Sequence, residues 1–224
     1  TLKGSYYANI NPGLQKFEIT PSQRQSHPEY YGENIWPKTD EKRVEGFKQA
    51  FENLGGKREQ RFIFKTTKAR LLHYFPPSEG NVLPADDEPV DSWCGFHLDH
   101  SLLTGLCSAM FLRQADNGVP TIVPSPSTAS GLYIRTRGGE LTKVTIPADS
   151  LAFQTGEALE LVTDGKLKAT PHCVRVGAGE GAEVISRETF ALFMQPDTNQ
   201  RISASETFGQ FSKRVFAEHY EDKM

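Results

Sequence analysis

Cysteine is scarce in this sequence of 224 residues, which holds only Cys94, Cys107 and Cys173. An odd number of cysteines without CxxC spacing predicts the reduced thiols of an intracellular protein rather than a disulfide framework. Long apolar runs are also lacking, since the longest central one, residues 106–112, is far too short to span a bilayer. The first six residues contain no apolar signal core. We therefore expect a cytoplasmic protein with no membrane partner.

An excess of basic residues is absent as well. The 25 Lys and Arg residues against 28 Asp and Glu residues give a net charge of −3, so we expect no nucleic-acid partner. Hydrophobic residues make up 37% of the sequence, which is ordinary for a globular protein, and a chain of this length can bury a core without disulfides. No exposed heptad pattern is evident. We expect one monomeric domain over residues 1–224.

Short β-type runs separated by turn residues occupy the middle of the chain. These runs are residues 69–75, 92–97, 101–112, 131–136, 141–146, 150–154, 166–176 and 184–194. No helical pattern separates them, and such an arrangement is typical of a double-sheet jelly roll. We predict a mostly β (α+β) fold with a jelly-roll core over residues 66–196. A stretch rich in Pro, Ser and Thr, residues 117–130, is predicted to be a surface loop.

Helical patterns flank the predicted strands. On the N-terminal side the apolar residues of one helical face are Val44, Phe47, Phe51 and Leu54, with a cap at 39–40 and a stop at 55–56. The first 40 residues are otherwise predicted to be irregular. On the C-terminal side, the apolar pattern of residues 205–220 predicts a second helix. We predict a helical and irregular segment over residues 1–65 and a C-terminal helix within residues 197–224.

A candidate metal site begins at His97-Leu98-Asp99. On a strand, residues two apart point to the same side, so His97 and Asp99 would present an imidazole and a carboxylate together. Two histidines and one carboxylate form the facial triad that binds Fe(II) and leaves other coordination positions open. His172, inside a later β-type run, is the best candidate for the third ligand. HxD also occurs by chance and a histidine on a strand can be structural, so these residues alone leave metal binding open.

Further motifs carry a resemblance to a known family. In chain order they are LLHYFPP (71–77), HLDHSLLT (97–104), GEALELVTDGKLKATPHCVRV (156–176) and SRETFALF (186–193). Together they resemble the iron(II)- and 2-oxoglutarate-dependent dioxygenases, in particular the soluble plant-type branch with its isopenicillin N synthase-like enzymes. The resemblance covers residues 69–196. It implies a double-stranded β-helix, a cupin-like form of the jelly roll, and it assigns His97, Asp99 and His172 as catalytic iron ligands.

The segment 186–193 resembles the Arg-x-Ser strand of that branch, so the resemblance implies that Arg187 and Thr189 bind 2-oxoglutarate. The physical chemistry agrees, because a dianion buried in a dry site needs a fixed cationic fork, which a guanidinium supplies. The segment 71–77 departs from the branch, which has Asn and Tyr where this chain has His73 and Phe75. Phe75 lacks the hydroxyl that helps to hold the co-substrate, and His73 is a candidate to contribute to that binding.

The resemblance implies a non-haem enzyme that uses Fe(II), 2-oxoglutarate and O₂. Such an enzyme oxidises a small organic substrate, most simply by hydroxylation, and releases succinate and CO₂. One alternative is an Fe(II) oxidase of the same fold that does not use 2-oxoglutarate and whose Arg187 and Thr189 bind the substrate itself; the loss of tyrosine at Phe75 keeps it open. Another alternative is a non-catalytic jelly-roll binding or sensor protein. A zinc hydrolase would leave Arg187 and Thr189 unexplained.

Overall fold

Two antiparallel sheets form the centre of the molecule. The computed structural model describes residues 3–10, 19–37, 46–56, 66–76, 93–115, 118–176 and 181–221. Its strands are β1 (Lys3–Asn9), β2 (Lys68–Tyr74), β3 (Cys94–His97), β4 (Leu103–Cys107), β5 (Met110–Arg113), β6 (Thr121–Val123), β7 (Gly131–Arg135), β8 (Leu141–Val144), β9 (Leu151–Thr155), β10 (His172–Arg175) and β11 (Ile185–Met194). Its helices are α1 (Pro21–Ser26), α2 (Pro28–Tyr31), α3 (Phe47–Gly56), α4 (Glu157–Val162) and α5 (Phe208–Glu221), with a 3₁₀ turn at Ala182–Val184.

The larger sheet has the strand order β1-β2-β11-β4-β9, and β5 and β6 extend it alongside β11. The smaller sheet has the order β3-β10-β7-β8. Neighbours in each sheet are mostly strands distant in sequence, as the crossing connections of a jelly roll require. The fold confirms the predicted mostly β jelly roll with a helical C-terminus. In the part of the chain that the structure describes, no helix combines the length and the apolar character of a membrane span.

The main core lies between the two sheets, because side chains alternate along each strand and every second one is buried there. Its buried members are Leu72, Tyr74, Trp93, Leu132, Val174, Val176 and Ala191. A second cluster joins α5 and α2 to the sheets, and its largest members are Tyr30, Tyr31, Phe208 and Phe211. A third lies on the outer face of β1 and β2, where Ala8, Ile10 and Ala69 pack against Phe51 of α3. The two outer clusters fix the helices to the β-core.

Several sequence-based boundaries were wrong. The run 101–112 is two strands, β4 and β5, which pair with different parts of β11. Of the run 166–176 only His172–Arg175 is a strand, and the unpredicted helix α4 lies shortly before that run. The described part of the first 40 residues is not wholly irregular, since β1 and two short helices lie there. Strand β6 lies inside the predicted loop 117–130. The strands among these elements depend on pairing with distant strands, which local patterns do not report.

The predicted flanking helices are present in part. Helix α3 begins at Phe47 and ends at Gly56, as the stop at 55–56 predicted. The predicted cap at 39–40 lies outside the described residues. Helix α5 begins at Phe208, three residues later than predicted.

Candidate active site

The three predicted metal ligands come together between the sheets. His97 ends β3 and His172 begins β10, and the two residues are paired directly across the smaller sheet. Candidate ligand atoms of His97, Asp99 and His172 all lie within 4.8 Å of one another. Strand β3 ends at His97, so Asp99 reaches the site from the turn that follows and not from the strand itself. The predicted grouping of the three residues is therefore observed. The prediction that His97 and Asp99 face the same side because both lie on one strand was only half right, since His97 lies on the strand and Asp99 does not.

The imidazoles are oriented for metal binding. The Nε2 atoms of His97 and His172 each lie 3.7 Å from Asp99 Oδ1. Each Nδ1 atom lies near a backbone carbonyl, that of Gly95 at 2.9 Å for His97 and that of Thr170 at 3.1 Å for His172. A carbonyl can only accept, so it fixes the proton on Nδ1 and leaves the Nε2 lone pair for a metal. This donor set fits Fe(II).

Asp99 is held through its other oxygen. Thr104 Oγ1 donates a hydrogen bond of 2.7 Å and Gln154 Nε2 one of 2.6 Å, both to Asp99 Oδ2. Asp99, Thr104 and Gln154 are all buried. Sequence reasoning missed Gln154, because no motif singles out a glutamine 55 residues away from the aspartate that it contacts.

The pKa values of the two histidines are shifted in opposite directions. Burial lowers the pKa of His172, so its imidazole is neutral at neutral pH and ready to bind a metal. Burial also acts to lower the pKa of His97, but contacts with Cys94 and with the Gly95 carbonyl outweigh it and the pKa is raised. Cys94 Sγ lies 3.8 Å from His97 Nδ1.

Arg187 lies at the deep side of the same space. It is directly opposite Tyr74 on the neighbouring strand, only 5% exposed, with its guanidinium carbon 5.2 Å from the centre of the Tyr74 ring. Burial lowers the pKa of Arg187, but arginine still keeps its charge in proteins. Its Nε and Nη1 atoms are buried without a hydrogen-bond partner in the described part of the chain. A buried charge with free donors is costly unless an anion occupies the space beside it.

A cavity of about 240 Å³ joins these groups. The predicted site residues that line it are His97, Asp99, His172, Arg187 and Thr189, and Tyr74 lines it with them. The structure therefore brings five of the six predicted site residues into one space between the sheets.

His73 is the exception, and its predicted part in co-substrate binding needs correction. Because neighbouring residues on β2 point to opposite faces, Tyr74 faces the cavity and His73 faces away. His73 Nδ1 lies 2.7 Å from Glu188 Oε1, and its ring packs edge-on against Phe75. Tyr74, and not His73, lies beside Arg187. The motif at 71–77 contained this tyrosine, so a signal was present in the sequence.

Comparisons with known proteins point to one fold. No family model matches the sequence. A UPF0676 protein of Schizosaccharomyces pombe is 31% identical over 138 residues, which cover 60% of this chain and 35% of that protein. A full-length Neurospora crassa protein, solved in complex with alpha-KG, has a TM-score of 0.63 at 18% identity, covering 98% of this chain and 66% of that one. A Caulobacter crescentus protein described as a putative member of the 2OG-Fe(II) oxygenase family has a TM-score of 0.59 at 18% identity, covering 96% and 70%.

The chain thus spans about a third of the yeast protein and about two thirds of the Neurospora protein. Structural similarity at these identities establishes the fold and not the substrate. The chain has the fold of the iron(II)- and 2-oxoglutarate-dependent oxygenase superfamily, as its motifs predicted.

Proposed function

We propose that the protein is a non-haem Fe(II)- and 2-oxoglutarate-dependent oxygenase that oxidises a small organic molecule. One observation carries this proposal: the cavity that holds the His97, Asp99 and His172 triad also holds the buried guanidinium of Arg187, with two nitrogens left without a partner among the described residues. A metal site alone would suit many proteins. A metal site facing a buried cation suits a chelating molecule with a second carboxylate, which is the chemistry of 2-oxoglutarate.

His97, Asp99 and His172 would hold the iron, each with a partner that fixes its orientation before the metal arrives. When bound, Fe(II) with O₂ and 2-oxoglutarate supplies the oxidising chemistry, in which one oxygen atom is added to the substrate while 2-oxoglutarate becomes succinate and CO₂. The role of the protein is to position the metal ligands and to enclose the reaction between the two sheets.

Arg187 would bind the distal carboxylate of 2-oxoglutarate through its free Nε and Nη1 donors. The Thr189 hydroxyl lies two residues further along β11, on the same face of the strand and in the same cavity. Tyr74 lies against the guanidinium from the neighbouring strand, with the centre of its ring 5.2 Å from the guanidinium carbon, and its side chain acts to raise the pKa of Arg187. An ion pair buried in this way is strong because the donors are already in place.

The substrate shares the remaining part of the cavity, which suits a small molecule. Apolar side chains of both sheets also line the cavity, and they include Leu72, Leu106, Phe111, Leu132 and Val144. The Neurospora crassa protein has been crystallised with thymine beside alpha-KG, and thymine is a molecule of the size that we propose here. Hydroxylation is the simplest outcome, and its test is the identity of the product.

An anaerobic titration tests the proposal directly. The metal-free protein receives Fe(II) and then 2-oxoglutarate while visible absorbance is recorded. We expect a weak charge-transfer band that requires both components and is lost in Arg187→Ala and in His172→Ala. Arg113→Ala, which changes an exposed arginine on β5, is the matched control and should keep the band. Succinate release in the presence of candidate substrates then identifies the reaction.

Two other results would favour the alternatives. Iron binding without a band, together with O₂ consumption and no succinate, would favour the Fe(II) oxidase, with Arg187 as a substrate ligand. Phe75 keeps this alternative in view, because it supplies no hydroxyl and the residue is 45% exposed. Iron binding without turnover of any substrate would favour a binding or sensor protein. No iron binding at all would refute both the oxygenase and the oxidase.

A further inference from the structure

We propose that Thr104 and Gln154 form a clamp that restricts Asp99 to binding the metal through one oxygen, and that this clamp keeps coordination positions open. We call the pair the Asp99 clamp. The inference rests on the proposed metal site, and it assigns positioning roles to two residues that do not themselves bind the metal.

Strand register creates the clamp. Thr104 on β4 and Gln154 on β9 are direct partners across the larger sheet. Partners in a sheet place their side chains on the same face with Cβ atoms close together. A hydroxyl and an amide therefore face the same point, and the turn after β3 brings the Asp99 carboxylate to that point.

The hydrogen-bond directions are determined by the chemistry of the groups. An ionised carboxylate only accepts, so the Thr104 hydroxyl donates its hydrogen bond to Asp99 Oδ2. The Ser101 hydroxyl, 2.8 Å from Thr104 Oγ1, then donates to Thr104. Gln154 adds an N–H of its amide to the same carboxylate oxygen at 2.6 Å. Asp99 Oδ2 thus accepts two buried hydrogen bonds, and breaking either of them would leave a buried polar group without a partner, which is costly.

The amide of Gln154 also contacts a second ligand. Its nitrogen lies 3.2 Å from Nδ1 and 3.1 Å from Nε2 of His172. One amide nitrogen cannot lie in the ring plane along both lone-pair directions, and Nδ1 already faces the Thr170 carbonyl. Gln154 therefore packs against the His172 ring, and one side chain holds two of the three metal ligands in their relative position.

The consequence concerns the number of open coordination positions. With Oδ2 occupied by two donors, only Oδ1 points at the space between the imidazoles. A carboxylate without the clamp could turn and bind through both oxygens, which would occupy a position that the facial triad otherwise leaves open. The clamp thus acts on metal affinity and on coordination geometry, both of which can be measured without any turnover.

The experiment measures Co(II) binding to the metal-free protein by calorimetry and by visible absorbance. We expect Gln154→Leu and Thr104→Val each to weaken binding by about 10- to 100-fold, the usual effect of losing an outer-shell partner, and to change the Co(II) spectrum. Thr104→Ser keeps the hydroxyl and should restore both. Thr155→Val is the matched control, since Thr155 is the next residue on β9 but its hydroxyl bonds to Lys168 and Thr170 instead.

Wild-type Co(II) affinity and an unchanged spectrum in both Gln154→Leu and Thr104→Val would overturn the clamp. Equal weakening in Thr155→Val would also overturn it, because the effect would then belong to the strand in general. If Gln154→Leu does not fold, the contrast between Thr104→Val and Thr104→Ser decides the question. A wild-type protein that binds no divalent metal would refute the proposed function, which is a different result from failure of the clamp.

Discussion

At the scale of single residues, the alternation of side chains along β2 decides which groups enter the cavity. Tyr74 is 3% exposed and touches Arg187, while its neighbour His73 pairs with Glu188 on the other face. The sequence motif contained both residues. Only the direction in which each one points separates a residue beside Arg187 from a residue that contacts Glu188 on the other face of the sheet.

We expect Tyr74→Phe to weaken 2-oxoglutarate binding by roughly tenfold, the order expected for one hydrogen bond to a charged group. The reason is that Tyr74 lies against the Arg187 guanidinium and acts to raise the pKa of Arg187, so we expect its hydroxyl to help orient the guanidinium. The affinity is read from the charge-transfer band in the anaerobic titration. His73→Ala, one position away on the opposite face, should leave the affinity unchanged. An equal loss in both variants would mean that the strand itself, and not the hydroxyl, was disturbed.

At the scale of elements, the turn from β9 into α4 packs against the segment around Asp99, which carries a candidate metal ligand. The Gly156 amide donates to the Leu102 carbonyl at 3.0 Å, and the Glu157 amide donates to the Asp99 carbonyl at 2.7 Å. A Cβ atom on Gly156 would lie 2.1 Å from the Ser101 carbonyl oxygen and 2.7 Å from that of Asp99. Glycine is required here by the close approach of two backbones.

Gly156→Ala should therefore push the segment around Asp99 out of position. We expect a loss of about 1–3 kcal/mol in the free energy of unfolding, as for an overpacked site, together with weaker Co(II) binding. Chemical denaturation and metal titration measure the two effects. Gly138→Ala is the matched control, because a Cβ there would meet nothing closer than 3.9 Å. Wild-type metal binding in Gly156→Ala would contradict the role of this turn.

Helix α2 carries a buried tyrosine whose ionisation links folding to alkaline pH. Burial raises the pKa of Tyr30 to about 12 from 10.0, and its hydroxyl lies 2.6 Å from Ser212 Oγ. The unfolded chain therefore loses this proton first as the pH rises. Below pH 10 the contribution of Tyr30 to stability is fully present, and it is lost as the pH rises towards 12.

We expect Tyr30→Phe to reduce the fall in melting temperature between pH 10 and pH 12. At neutral pH the variant should lose about 1 kcal/mol of unfolding free energy, since one buried hydrogen bond is gone. Calorimetry across this pH range measures both effects. The same pH dependence in variant and wild type would show that other groups cause the alkaline loss.

At the scale of the whole molecule, α5 packs against the segment that carries the candidate ligands His97 and Asp99. Phe208 and Phe211 are buried in a cluster with Tyr30 and Leu102, and the Phe211 ring lies 5.9 Å from that of His100. His100 directly follows Asp99, so the C-terminal helix contacts the segment that carries two of the candidate ligands. Residues far apart in sequence thus stabilise one site.

Phe208→Ala should lower the free energy of unfolding by about 3–5 kcal/mol, the usual cost of truncating a buried phenylalanine. Phe216→Ala, on the same helix but 41% exposed, should cost much less. Urea denaturation monitored by circular dichroism compares the two. A similar small effect in both would mean that the helix does not stabilise the described fold.

The expectations of one domain over residues 1–224, of a monomer and of a cytoplasmic location stay predictions. Limited proteolysis tests the domain boundaries, and light scattering after size-exclusion chromatography tests the oligomeric state. Fractionation of cells tests the location.

The sequence by itself determined the chemical type of each candidate site residue and the local strand pattern. The short alternating strands were enough to predict a jelly roll, and the resemblance of four motifs to a known family implied the Fe(II)-type triad and the Arg187 and Thr189 pair. Only the tertiary structure decided that Asp99 reaches the site from a turn, that Gln154 supports it across 55 residues, and that His73 faces away from the cavity. The physical reason is strand register: a side chain's own sequence fixes its chemistry, but pairing with distant strands fixes where it points and what it meets.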